Sequence, residues 1–294
     1  MNNYKSWAIS LGIAFFLALI LRFVVFESVV YRGYAMGNTL QYGDIVFINK
    51  ISGINRHDVV AFYEGTHMDS LVLKIKRCIA LPGDTVLIKH SNLFINKRAE
   101  IIDSSNFLYF FRFFSRNSLR EYSDLYLNWT DTLTNYTFAG LSLQKISELH
   151  SDTLISLNRK ITFTADIQQK KVIGGNNLFQ WNADNFGPYK VPYSGMKIAL
   201  NPYTISLYKD LILGENTEIL LKNNKLYLDN KIISYYTFVK NYYFLLNDTR
   251  FDSHDSRENG VVSESFIQGE ASWIWFSVNE NYSIRWQRIF KLIN

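Results

Sequence analysis

The chain has 294 residues, a formal net charge of +5, and hydrophobic and aromatic fractions of 48% and 16%. That length can bury a sizeable core in one or two domains, and that aromatic content excludes a disordered chain. The single cysteine, Cys78, excludes an intramolecular disulfide, and the scattered Lys and Arg carry no nucleic-acid-binding signature, so no nucleic-acid partner is expected.

The first predicted element is Trp7 to Phe26, WAISLGIAFFLALILRFVVF. Twenty helical residues at about 1.5 Å each reach about 30 Å, the thickness of a bilayer's hydrocarbon core. Its one charge, Arg22, lies near an end, where a long side chain reaches the interface, and Trp7 anchors the other. Lys5 on one side and Arg22 and Arg32 on the other leave orientation nearly undecided by charge. Gly33-Tyr34-Ala35 offers small residues for signal cleavage, but the apolar run exceeds the usual signal length of about 7 to 15 residues. Residues 1–27 therefore read as a retained single-pass anchor, with the lipid bilayer as a partner.

Short strand-like runs follow, each behind a turn. Tyr42-Gly43-Asp44 precedes IVFI, Arg56-His57-Asp58 precedes VVAF, and Leu81-Pro82-Gly83-Asp84 precedes TVLI. Residues 92–97 (NLFINK) and 225–231 (KLYLDNK) resemble each other and read as hairpin arms. Residues 103–175 change character, being rich in Ser, Asn, Leu and Phe, and read as an insertion of unknown role. Within it SLQKISEL (142–149) puts Leu143, Ile146 and Leu149 on one helical face, with Ser142 as N-cap. Strand patterning resumes at 176, through the turn-rich WNADNFGPYKVP. The polar NDTRFDSHDSRENG follows, and then SWIWFS and IRWQRIF, both read as amphipathic strands. The expected fold class is all-β: one β-rich domain, residues 28–102 and 176–294, on a membrane helix.

Two clusters carry candidate chemistry. In LVLKIKRCIALPGD, alternation puts Lys76 and Arg77 on opposite faces of a strand. A lysine facing an apolar pocket loses proton affinity and can act as a general base; the alternative is an ion-paired or snorkelling side chain. In DTRFDSHDSR, Asp248, Arg250, Asp252, Asp255 and Arg257 can form a salt-bridged turn, with Ser253 and Ser256 bonding across it. Its acidic spacing does not fit an EF-hand, and its arginines oppose calcium. None of the five histidines pairs at metal-ligand spacing, so no metal is expected. Asn128, Asn135, Asn247 and Asn281 head sequons that an Asn-rich chain supplies by chance.

Taken in order, the apolar segment, AMGNTL, GDIVFINK, RHDVVAF, KIKRCIALPGD, WNADNFGP and NDTRFDSHDSR resemble bacterial type I signal peptidase. This is the membrane serine protease family that removes signal peptides with a Ser/Lys dyad. The resemblance covers residues 1–102 and 176–294. It implies a β-rich domain on the outer, periplasmic face of the cytoplasmic membrane, acting on signal peptides of secreted proteins without a cofactor. It implies roles as well: Lys76 as general base, Ser253 as the hydroxyl that orients it, and Asp255 and Arg257 as braces of that loop. Met36, after the nucleophile position, and Asp248 fall on binding positions.

The motif departs from the family where chemistry needs it. The nucleophile position is Ala35, whose methyl cannot attack a carbonyl, and the position of the oxyanion-binding hydroxyl is Gly33. Tyr34 is expected on the opposite face of an extended segment, and Thr39 matches a structural threonine. Asn247, Thr249, Asn259 and Ser263 also replace the residues the family carries there. The expectation is a catalytically silent homologue that keeps a peptide-binding groove. The alternatives are a working peptidase with an unrecognised nucleophile and an unrelated membrane-anchored β interaction domain.

Overall fold

The computed structural model describes residues 3–20, 25–65, 71–113, 127–131, 136–150, 155–165, 167–252 and 254–293. The protein is β-rich with antiparallel sheets and few helices. It divides into two compact units, Met1–Ile75 with Phe266–Asn294, and Lys76–Ser265. The expected insertion, 103–175, falls inside the second.

The first unit opens with the helix Asn3–Ile20, on which Trp7, Leu11, Phe15 and Phe16 are exposed. Among the described residues no helix is long and apolar enough to cross a membrane. The expected span ran to Phe26, and residues 21–24 lie outside the described ones. The unit's strands then pair antiparallel in the order Phe26–Val30, Asp44–Asn49, Ile267–Ser277, Val59–Glu64. Along Asp44–Asn49 buried and half-buried residues alternate, the period-2 pattern that sends Val46 and Ile48 inward. They pack with Tyr31, Met36, Leu40 and Ile274.

The turn before that strand admits only glycine at Gly43. Its φ is +87°, and a Cβ would stand 2.0 Å from the Val278 carbonyl oxygen. Next to it Asp44 is fully buried. It accepts from Arg288 Nη2 at 2.6 Å, Ser277 Oγ at 2.6 Å and the Gln41 N–H at 2.7 Å. The same guanidinium reaches the carbonyls of Asn38 and Thr39. This explains why IRWQRIF is not the expected strand. Trp286–Arg288 is a 3₁₀ turn; Arg285 before it and Arg288 within it bond Asp44 and its surroundings, Ile284 makes a single bridge to Val278, and Lys291–Leu292 pairs with Ile267–Ser277.

In the second unit, Val72–Ala80, which begins in the first, pairs with Tyr242–Leu246, and that strand pairs with Val262–Ser263. A second sheet runs Phe186–Lys190, Thr85–Lys89, Asn92–Ile95, Arg98–Glu100. The two look-alike segments are hairpin arms as expected. Their turns, Asn96-Lys97, Asn223-Asn224 and Asp229-Asn230, all have positive φ, which Asn and Asp tolerate best.

Where strands were expected, Pro202–Glu215 is a helix. Asn201 accepts from the Thr204 N–H, Thr204 Oγ1 accepts from the Asn201 N–H, and Pro202 occupies the first turn. That capping box overrides the aromatic and β-branched content that reads as strand. Within residues 103–175 a separate sheet runs Ile155–Lys160, Asn106–Phe113, Tyr136–Ser142, Leu127–Asp131, with the expected helix, Leu143–His150. Ser142 Oγ accepts from the Lys145 N–H, and Ile146 and Leu149 are buried; the side chain of Leu143 lies outside the description.

Asp44→Ala leaves Arg288 buried without its carboxylate and is expected to cost about 3 to 5 kcal/mol in denaturant unfolding. Asp44→Leu combined with Arg288→Met is expected to recover most of that loss, because neither charge then remains unpaired.

Candidate active site

The nucleophile-position segment lies in the first unit. Residues 34–39 form a turn, with Gly37 N–H donating to the Tyr34 carbonyl and Thr39 N–H to the Met36 carbonyl, so the expected extended segment is absent. Tyr34 is exposed, stacks on Tyr42 at 5.8 Å and gives its phenol to Glu280. Met36 is fully buried in the unit's core.

Tyr31 organises this turn and was not anticipated. Its hydroxyl accepts from the Met36 N–H at 3.1 Å, and a Cβ on Gly33 would stand 2.9 Å from that oxygen. Glycine at 33 and tyrosine at 31 are therefore matched sterically, and any side chain at 33 requires the phenol to move. Neither Gly33 nor Ala35 has a side chain that can donate a hydrogen bond or attack a carbonyl.

Lys76 lies in the second unit, only 6% exposed, and its Nζ donates to the His254 carbonyl at 2.5 Å. The next residue, Arg77, holds Asp248 through two bonds of 2.7 and 2.8 Å, both side chains essentially out of solvent. A paired guanidinium and carboxylate satisfy each other's desolvation in a way that neither could alone.

Asp255, like Asp44 and Asp248, is a fully buried carboxylate. It caps the short helix Ser256–Asn259, accepts from the Asn247 and Arg257 N–H groups, and pairs with the Arg257 guanidinium at 2.9 and 2.7 Å. The remaining Arg257 donors reach the carbonyls of Arg250, Asp252 and Ala183. Burial works against the Arg257 charge, yet the Asp255 carboxylate, with Asp184 and Asp252 behind it, holds the guanidinium above its usual range. Arg250, buried among both pairs, is pulled down to about 10 by desolvation, against the attraction of Asp248.

Lys76, Asp248, Asp255 and Arg257 thus converge on one loop. Ser253 lies outside the described residues. Asn247, noted in the sequence only as a departure from the family and a sequon, has an amide nitrogen that reaches toward the Asp252 and His254 carbonyls at 3.3 and 3.5 Å. Its Oδ1 is buried with no partner among the described residues. An amide beside an acidic run signals a loop staple, but its partners are backbone groups that no spacing reveals.

The sequence profile described as signal peptidase, peptidase S26, matches residues 4–107 and 190–276. The chain belongs to this family. Signal peptidase I of Bacillus amyloliquefaciens is 39% identical over 111 residues, 36% of this chain and 56% of that protein. Signal peptidase I T of Bacillus subtilis (strain 168) is 36% identical over 99 residues, 32% and 50% of the two chains. Signal peptidase I of Streptococcus pneumoniae is 35% identical over 97 residues, 33% and 46% of the two. The chain spans about half the length of the curated relatives it matches. Family membership leaves the two readings that lie within the signal peptidase family. The profile passes over residues 108–189, which include most of the sheet formed by Asn106–Phe113, Leu127–Asp131, Tyr136–Ser142 and Ile155–Lys160.

One titration near this loop is testable. Lys160 lies 3.4 Å over the Phe107 ring, and burial lowers its pKa from 10.5 to about 8, with Asp184 opposing the shift and Arg250 adding to it. Between about pH 8 and 10.5 the folded state then binds fewer protons at this site than the unfolded chain, so stability from this group rises with pH across that window. Denaturant midpoints measured from pH 7 to 10 are expected to climb in the unaltered chain relative to Lys160→Met, which lacks the titration.

Proposed function

We propose that this chain is a membrane-held member of the signal peptidase family that has lost proteolysis and keeps a groove for extended peptides, the signal peptides of secreted proteins being the first class. The observation that carries this reading is the pairing of loss with retention. Gly33 and Ala35 offer no hydroxyl, while Lys76 remains buried and held by a loop with two buried ion pairs. Lys76 is the surviving base position, Ser253 its orienting hydroxyl, and Asp255 and Arg257 brace the loop. Met36 and Asp248 support the binding positions from within their units. A groove of this kind takes a peptide by strand addition, with small side chains in its pockets. A working enzyme would need another nucleophile, and the Tyr34 phenol is engaged by Glu280 at the surface.

Membrane attachment is part of the proposal. The apolar segment that begins at Trp7 is a single-pass anchor ending before the strand Phe26–Val30, with the main domain on the outer face of the cytoplasmic membrane. The exposed apolar side chains of helix Asn3–Ile20 support it. So does the aromatic face of the first unit, where Phe47 stacks on Trp273 and Phe290 packs on Trp273 and Trp275, with Phe290, Trp286 and Leu292 exposed. Such amphipathic rings suit the headgroup region of a bilayer.

The test is cleavage of a signal-peptide substrate by the full chain in detergent. The unaltered chain is expected to be inert, and Ala35→Ser to restore cleavage, since losing one member of a serine-protease catalytic set costs on the order of 10⁶ in turnover. Gly33→Ser with Ala35→Ser is expected to do no better than Ala35→Ser, because the new Cβ meets the Tyr31 hydroxyl. Cleavage by the unaltered chain would overturn the reading of lost proteolysis. Inert Ala35→Ser protein would overturn the reading of Lys76 as a usable base.

A further inference from the structure

Ser105 and Asn106, at the end of the profile's first matched stretch, and Gly140, in the segment it then passes over, meet the lysine-holding loop. Asn106, at the start of the strand Asn106–Phe113, gives its N–H to the Asp248 carbonyl at 2.7 Å and takes the Arg250 N–H on its own carbonyl at 2.8 Å. Residues 248–250 thereby run beside Asn106 as one rung of parallel pairing, centred on Thr249. The buried Ser105 accepts from Arg250 Nε at 3.0 Å.

The third contact is steric. A Cβ on Gly140, in the strand Tyr136–Ser142, would stand 2.6 Å from Phe251 Cε1 and 3.0 Å from Cζ. The φ at Gly140 is not in the left-handed region. Glycine there meets the need for room rather than for an unusual backbone, and the ring of Phe251 fills that room.

Residues 248–251 are continuous with what holds Lys76. Three residues past Phe251 is His254, whose carbonyl takes the ammonium. From the far side, Arg257 grips the carbonyls of Arg250 and Asp252, and Asp248 holds Arg77, the neighbour of Lys76 in the strand. A shift at 248–251 therefore displaces both the carbonyl that receives Nζ and the pair that fixes the strand.

We infer that the inserted segment is a positioning element for Lys76, acting through Ser105, Asn106 and Gly140 on the loop 248–254. The inference rests on the proposed function only for the value of Lys76. The coupling itself can be measured without any cleavage.

The test labels surface amines of the full chain in detergent by reductive methylation, reads Lys76 by mass spectrometry, and follows hydrogen exchange over 247–257. Gly140→Ala is expected to raise both the Lys76 labelling rate and the loop's exchange at least about fivefold, as a local opening made easier would. Phe251→Leu added to Gly140→Ala is expected to return both toward the unaltered values by freeing the space. Thermal unfolding of each variant checks that the global fold persists. If Gly140→Ala does not fold, Ser105→Ala carries the same test by removing the acceptor of Arg250 Nε. Labelling and exchange unchanged in a folded variant would overturn the inference. Repeating the set in the Ala35→Ser background separates the two readings. Faster labelling without cleavage in any variant would strike the peptidase reading alone, and unchanged labelling with undiminished cleavage would strike the brace alone.

Discussion

Everything around Lys76 depends on buried charges that need one another. Arg77 with Asp248 and Arg257 with Asp255 are two guanidinium–carboxylate pairs removed from water, with Arg250 buried beside them. Each charge is tolerable only because its partner replaces lost hydration, helped by backbone N–H groups at Asp255 and by backbone carbonyls at Arg257. Because those carbonyls belong to residues 250, 252 and 183, satisfying the charges also dictates the path of the chain. The carbonyl that meets Lys76 is fixed as a consequence.

On the proposed reading the fold outlives its chemistry, because the side chains of Gly33 and Ala35 bring no polar group that needs a partner. Removing one partner from the loop leaves an uncompensated charge in the interior, at a cost of about 3 to 5 kcal/mol. The same holds in the first unit, where Asp44 and Arg288 tie the turn of residues 38–44 to the chain's last residues. Tyr31 goes further, since its phenol stands where a side chain at 33 would begin.

What was legible in the sequence was local or pattern-borne. The strand runs behind Gly43 and Gly83, the two hairpins and the capped helix after Ser142 rest on turn chemistry and periodicity within a few residues. The ordered motifs pointed to the family, and the charged run 248–257 to a salt-bridged turn. What was hidden depended on distant partners. Asp44 looked like a turn residue until Arg288, 244 positions later, closed on it. The helix Pro202–Glu215 was masked by strand-like composition and decided by a cap of two residues, Asn201 and Thr204. The tie between Asn106 and the loop is made by backbone groups, which every residue possesses and no motif displays.

The proposed function has this member of the family bind extended peptides without cutting them. Its most direct test is to titrate the unaltered full chain in detergent into a fluorescent signal peptide, follow anisotropy to saturation, and then weigh the peptide by mass spectrometry. Saturable binding with the peptide recovered intact is the expected result. Recovery of a cleaved peptide, or no binding at any concentration, would contradict it.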